Sequence, residues 1–206
     1  MYNDFAKASD DLLRNLIDKP ELVDAWKRLS DCSASEAVRT NTKALEALSK
    51  KLAGETTGFP TPIEIWGKAF FDEHLLRFNE GVSCLKLNST RKYNTLGNSE
   101  LFVIPKSEMD KLLLKTNGDI SLIEKELGIP EGAWKDEIAK SKDKLIRVDI
   151  IDKTLIKNLR MSSGMEGSAN NLWIPGGKTP EGWSEAVIES VEWSKISNDN
   201  IKTIIE

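Results

Sequence analysis

The sequence predicts an α+β protein: a small helical lead, then a mixed, mostly antiparallel sheet with helices. Three observations carry that expectation. Before Gly54, apolar residues recur at helical spacing with almost no β-branched run. From Gly54 to Pro62 the chain reads GETTGFPTP, with two Gly, two Pro and three Thr in nine positions, the composition of a loop. Beyond it, short β-rich runs alternate with single helical stretches. The expected organisation is therefore a helical lead over 1–54, a linker over 55–62 and an α+β domain over 63–206.

The elements follow in order. Phe5, Leu12, Leu13, Leu16 and Ile17 share a helical stripe behind Asn3 or Asp4, either of which can cap. Pro20 suits the first turn of a second helix carrying Leu22, Val23, Trp26 and Leu29. Cys32-Ser-Ala-Ser breaks the pattern, and a third helix, starting near Ser35 or Asn41, reaches Leu52. In the second region, Ile63 to Phe78 is amphipathic and predicts one helix, ended by Gly81. Val82–Leu87 and Leu101–Ile104 predict strands, and Tyr93–Gly97 between them predicts a turn. Ser107 caps a helix through Leu114, Asn117-Gly-Asp separates it from the next, and Ile120–Leu127 ends at Gly128. Leu145–Ile151, Leu172–Ile174 and Ala186–Trp193 predict strands, with Ser/Gly-rich 162–170 and Pro175–Gly182 as loops.

Composition narrows the chemistry. With 206 residues and 39% apolar side chains the chain can bury a core, so it is not wholly disordered. Its 29 Lys+Arg against 33 Asp+Glu leave a charge of −4, which disfavours a strongly basic nucleic-acid binder. Cys32 and Cys84 are too few for a disulfide framework or a thiolate zinc site. One histidine cannot supply the ligand pair of a zinc protease, so no metal is expected. No apolar run approaches the roughly 20 residues of a membrane helix, and the start MYNDFAKASDDLL carries no signal-peptide pattern.

Several residues stand out as chemical candidates. Glu185 sits where the Gly-rich loop meets the strand from Ala186, so a rigid strand holds it while a mobile loop precedes it. His74 is either a general base or a packed helix histidine between Phe70 and Phe78. Arg147 alternates within Leu-Ile-Arg-Val-Asp-Ile, where it either grips a phosphate or pairs with Asp149 on the sheet face. Arg160 leads into the Ser/Gly loop and is a second phosphate candidate. Pro175-Gly-Gly-Lys-Thr lacks the first glycine of a phosphate loop, but Lys178 retains the charge to meet a phosphate. Trp183, between Gly182 and Ser184, is the aromatic residue least explained by packing and is placed to stack on a planar base.

Two stretches resemble known sequences. Asn15-Leu-Ile-Asp-Lys-Pro-Glu-Leu-Val-Asp-Ala-Trp-Lys-Arg-Leu, with Arg39-Thr-Asn-Thr-Lys-Ala-Leu-Glu-Ala-Leu, resembles the helical segment upstream of C-terminal toxin domains in polymorphic effectors, including Rhs-type and secretion-system proteins of Bacteroidetes. Phe102-Val-Ile-Pro-Lys-Ser-Glu-Met-Asp, Leu127-Gly-Ile-Pro-Glu-Gly-Ala-Trp and the run from Ala169-Asn-Asn-Leu-Trp-Ile-Pro-Gly-Gly-Lys-Thr to Glu185-Ala-Val-Ile resemble the toxin domain itself. The layout of a strand bearing arginine, a Ser/Gly loop, a Gly-Gly loop and a Glu-headed strand is similar to the second half of ADP-ribosyltransferase-like and NAD-glycohydrolase toxins. That resemblance implies NAD as the substrate and no metal. It implies Glu185 as the carboxylate acting on the nicotinamide ribose, and Arg77 or His74 as the early NAD-binding residue. It further implies a cognate immunity protein, a parent effector or delivery machinery, and action in a target-cell cytoplasm. A metal-independent RNase using His74, Lys178 and Arg160 is the alternative, and a non-enzymatic adaptor the second.

Overall fold

The computed structural model describes residues 41–205. The helices expected at Phe5–Ile17 and Leu22–Leu29, with the break at Cys32, lie outside the described residues. The described chain is α+β, as the sequence predicts: helices flank one five-stranded antiparallel sheet.

Helix α1 (Thr42–Leu52) starts where Asn41 accepts a hydrogen bond from the Ala44 N–H at 3.1 Å. This side-chain cap satisfies one of the donors that a first turn leaves bare. The stretch predicted as one helix from Ile63 is instead two, α2 (Pro62–Trp66) and α3 (Lys68–Leu76). Gly67 separates them with φ at 79°, a backbone setting that side chains rarely adopt. Thr61 and Glu64 form a reciprocal capping box at the start of α2.

Strand β1 (Val82–Leu87) lies at the centre of the sheet, followed by a 3₁₀ turn over Asn88–Lys92. Strand β2 (Thr95–Pro105) begins earlier than the sequence suggests and absorbs much of the predicted turn through a bulge between Leu96 and Glu100. Helices α4 (Lys106–Thr116) and α5 (Ile120–Leu127) are divided at Asn117-Gly-Asp as expected: Asn117 closes α4 in the left-handed region, and Asp119 caps α5. A further helix, α6 (Lys135–Ser141), had no clear apolar stripe to announce it. Strands β3 (Leu145–Ile150), β4 (Ala186–Glu192) and β5 (Ile201–Ile205) complete the order β4-β2-β1-β3-β5. β5 escaped the sequence reading, while Leu172–Ile174, expected as a strand, is an irregular segment in which Leu172 is exposed and Trp173 and Ile174 are buried.

Alternation along the strands builds two cores. Val82, Cys84, Val103, Ile146, Val148 and Ile188 face one side with Phe78. Leu85, Ile104 and Leu145 face the other and bury Met109, Leu112 and Ile123 of α4 and α5. A third cluster joins Leu45 and Leu48 of α1 to Ile65, Trp173 and Ile174. The 55–62 loop therefore separates α1 from the rest along the chain, but packing joins α1 to the α+β region.

One departure from regularity positions the site. β1 pairs with β3 over six residues but with β2 over only two, Val82 with Pro105 and Ser83 with Ile104. Past that point β1 and β2 leave the ladder, and a gap opens between the two central strands.

Candidate functional site

Glu185 precedes the first residue of β4 and is fastened by its backbone. Its N–H donates to the Gly177 carbonyl at 2.7 Å, and its own carbonyl accepts from His74 Nε2 at 2.8 Å. A carbonyl can only accept, so Nε2 carries the proton of this imidazole. The ring is 3% exposed, and burial lowers its pKa, so it stays neutral. Gly177 is required here: a Cβ on it would stand 2.7 Å from His74 Nε2. Ser184, next in line, donates its N–H to Glu108 of α4 at 2.6 Å.

The Glu185 side chain reaches a cleft on the α4/α5 side of the sheet. Two adjoining cavities of about 80 and 110 Å³ share Glu185, Lys86, Phe102, Leu127 and Ile129 in their walls. Met109 and Trp134 close the first; Trp173, Lys178 and Thr179 wall the second. Among the described residues no cation pairs with the Glu185 carboxyl. Its hydrogen-bond partner is Ser162, whose Oγ lies 3.4 Å away and itself accepts the Trp173 indole N–H at 2.8 Å. Burial, aided by the nearby Glu166 charge, raises the Glu185 pKa to about 8, so in the free protein the group is mostly protonated at neutral pH.

The loop beside this cleft is built around a second carboxylate. Glu166 accepts the backbone N–H groups of Ser163 and Gly164 and the Ser163 hydroxyl. Lys51 of α1 clamps the same loop by donating to the carbonyls of Gly164 and Ala169 at 2.8 and 2.7 Å. Glu124 does similar work for the α5–α6 connection, accepting the N–H groups of Gly132, Trp134 and Lys135.

The sequence-nominated residues divide sharply. Glu185 and Lys178 meet in the cleft. Lys178 is half-buried and its ammonium donates to the Gly182 carbonyl at 2.9 Å; burial and the neighbouring Arg77 charge lower its pKa. Arg77 is exposed just beyond α3, close enough to influence both Lys178 and His74, but it does not wall the cavities. His74 stands behind Glu185 as a positioning group rather than in the cleft. Arg147 is not available to a ligand. It is 5% exposed, donates to Asp149 and Asp110 at 2.6 Å each, and thereby takes the sheet-face pairing left open by its sequence. Arg160 is occupied too: its backbone pairs with Val187, and its guanidinium meets Glu100 at 2.5 Å and Glu166 at 3.5 Å. Trp183 packs against the α4/α5 core and donates its indole N–H to Glu126 at 2.7 Å, so its ring is explained by packing after all.

Lys86 and Ser162 are site residues that sequence reasoning missed, whereas Phe102 and Trp173 belong to a set of aromatic residues able to stack on a planar base, most of which the sequence places in the core. Lys86 offered a faint signal, a cation inside an otherwise apolar strand. Phe102 looked like core because the gap between β1 and β2 leaves no local trace. Among the described residues no three His, Cys, Asp or Glu side chains gather as ligands for a metal ion. No described helix is long and apolar enough to cross a membrane. Compared with family models, curated proteins and solved structures, the chain matches none.

Proposed function

We propose that this chain is the NAD-consuming part of an interbacterial effector toxin, acting on the nicotinamide–ribose bond through Glu185. The observation that supports the reading best is the carboxyl itself: it lies in a cleft walled by aromatic and apolar side chains, has no counter-ion among the described residues, and is held by its backbone on two sides. Such a group suits a cationic ring. A pyridinium brought beside Glu185 favours the ionised carboxylate and draws the proton off. As the C1′–N bond breaks, its electron pair leaves with the nicotinamide nitrogen, and positive charge moves to the ribose. A fixed carboxylate stabilises that charge, and binding geometry supplies the alignment. Water adding to C1′ releases a proton and gives ADP-ribose; another nucleophile gives ADP-ribosylation.

The test is incubation with NAD and detection of free nicotinamide, alone and with bacterial lysate as acceptor. Release is expected from the wild type, and Glu185→Gln is expected to lower it by roughly 100-fold or more while the fold persists. Folded wild-type protein that releases no nicotinamide under either condition overturns the reading. Because the free carboxyl titrates near 8, kcat/KM for NAD should rise with pH through that value. A flat profile from pH 6 to pH 9 would separate Glu185 ionisation from catalysis.

The effector setting implies a parent protein or delivery machinery and a cognate immunity protein that covers the cleft. Expression in a bacterium without that partner should arrest growth; unimpaired growth favours a binding or adaptor role. The RNase alternative rests on His74, Lys178 and Arg160, of which only Lys178 walls the cleft.

A further inference from the structure

A third cavity, of about 600 Å³, lies at the open end of the gap between β1 and β2, walled by Lys86, Thr90, Tyr93, Thr95, Gly97 and Asn98. Lys86 is common to this cavity and to both cavities at Glu185, so the three meet at one residue. The cause lies in the backbone. Beyond Ser83 and Ile104 the two strands no longer pair, and β2 carries a bulge between Leu96 and Glu100 in its pairing with β4. The 3₁₀ turn that follows β1 brings Thr90 to the far rim, and Tyr93 stands just beyond it.

The chemistry of this groove is one-sided. Among the described residues no carboxylate walls the third cavity. Lys86 is half-buried, and among the described residues its ammonium forms no ion pair or hydrogen bond. Thr90, Tyr93, Thr95 and Asn98 supply hydroxyls and an amide to the same cavity walls. At the far end the Tyr93 ring is 61% exposed, with the Lys92 ammonium 5.2 Å from its centroid. A volume of this size falls within the range of small-molecule sites, roughly 300–1,000 Å³. A half-buried cation with no ion pair among the described residues favours an anion at the midpoint, and a largely exposed aromatic ring favours a planar ring beyond it.

The geometry points to a diphosphate-and-base subsite in this groove, with Lys86 holding a nucleoside diphosphate and Tyr93 stacking on its base. This assignment rests on the NAD reading for its orientation: the adenosine diphosphate half of the dinucleotide lies along Lys86 and Tyr93, with the nicotinamide riboside at Glu185. Lys86 is then a binding residue for the reaction, reached from the opposite end of the cleft to Lys178.

ADP is the probe that separates this subsite from the chemistry, because it carries the diphosphate and the adenine but no nicotinamide. Calorimetric titration of the full chain should show ADP binding. Lys86→Met should weaken it roughly tenfold or more, and Tyr93→Ala roughly fivefold or more, with melting temperatures held near wild type because Tyr93 is exposed and Lys86 unpaired. In turnover, both variants should raise KM for NAD with kcat within about threefold, and Tyr93→Ala should leave KM for nicotinamide mononucleotide unchanged. NAD turnover with no ADP binding, or with KM unmoved in both variants, overturns the subsite and leaves the Glu185 reading intact. ADP binding that Lys86→Met and Tyr93→Ala weaken, in a protein that does not cleave NAD, supports the subsite and overturns the reading of Glu185.

Discussion

Glu185 shows what a single residue gains from its surroundings. Its ordinary carboxyl value is 4.5, and burial lifts it to about 8. Between those values the folded chain keeps a proton that the unfolded chain has released, so this group makes stability fall as pH rises through that window. Glu185→Gln removes the titration and closely matches the protonated shape. The variant should melt at the wild-type temperature near pH 4 and roughly 2–6 °C above it near pH 8.5, as read by calorimetry across pH. Equal melting at both pH values would mean that the carboxyl is solvated. His74 has the opposite sign. Its pKa is lowered from 6.5, so the unfolded chain takes up a proton first and stability is lost as pH falls below that value. His74→Gln should lessen that acid-side loss, measured as the difference in melting temperature between pH 7 and pH 5.

Within the strand β3, one face decides what an arginine can do. Arg147 and Asp149 share that face at a spacing of two, and Ser83 on the neighbouring β1 donates its hydroxyl to the same Asp149. Asp110 of α4 completes the set and is held below the usual carboxylate range by Arg147. Removing the guanidinium would strand Asp149, which is 3% exposed, without its cation. Arg147→Leu should therefore lower stability by about 3–5 kcal/mol, seen in urea unfolding, while the remaining folded protein keeps the KM for NAD that the proposed function gives the wild type. A raised KM with unchanged stability would return Arg147 to the ligand. The same logic applies to α5. Glu124 accepts three backbone N–H groups of the following loop, so Glu124→Ala should unfasten the Trp134 wall of the cleft and lower stability by about 2–4 kcal/mol.

At the scale of the whole molecule, α1 is tied to the site by two routes. Its apolar face packs against Trp173, whose indole N–H reaches Ser162 and through it Glu185. Its Lys51 holds the loop that Glu166 organises. A chain beginning at residue 55 would expose Ile65, Trp173 and Ile174 and lose both clamps. It should melt lower than the full chain by roughly 5 °C or more and bind an apolar dye that the full chain excludes. Unchanged melting would show that the α+β region folds independently of the lead.

Several features were legible in the sequence because they are local. Asn41, Asp119 and the glycine after Leu127 cap helices with their own neighbours, short apolar runs pick out β1 and β3, and alternation picks out β4. The Glu at the head of a late strand could be nominated for the same reason: loop and strand are both local signals. Other features had no local trace. Gly67 breaks a helix whose stripe runs on past it, β5 is too short and charged at its flank to stand out, and Trp173 and Ile174 are buried because they meet α1 rather than because they pair in a sheet. By itself, then, the sequence determined the α+β class, most of the elements and the prominence of Glu185, since caps, periodicity and turn chemistry act over a few residues. Only the tertiary structure decided which charges are spent inside the protein and which face a cleft. Arg147, Arg160 and Trp183 found partners far along the chain, whereas Lys86, where β1 and β2 part, has no ion pair or hydrogen bond from its ammonium among the described residues. Ion pairing and strand separation depend on distances across the fold, and those distances exist only once the sheet has formed.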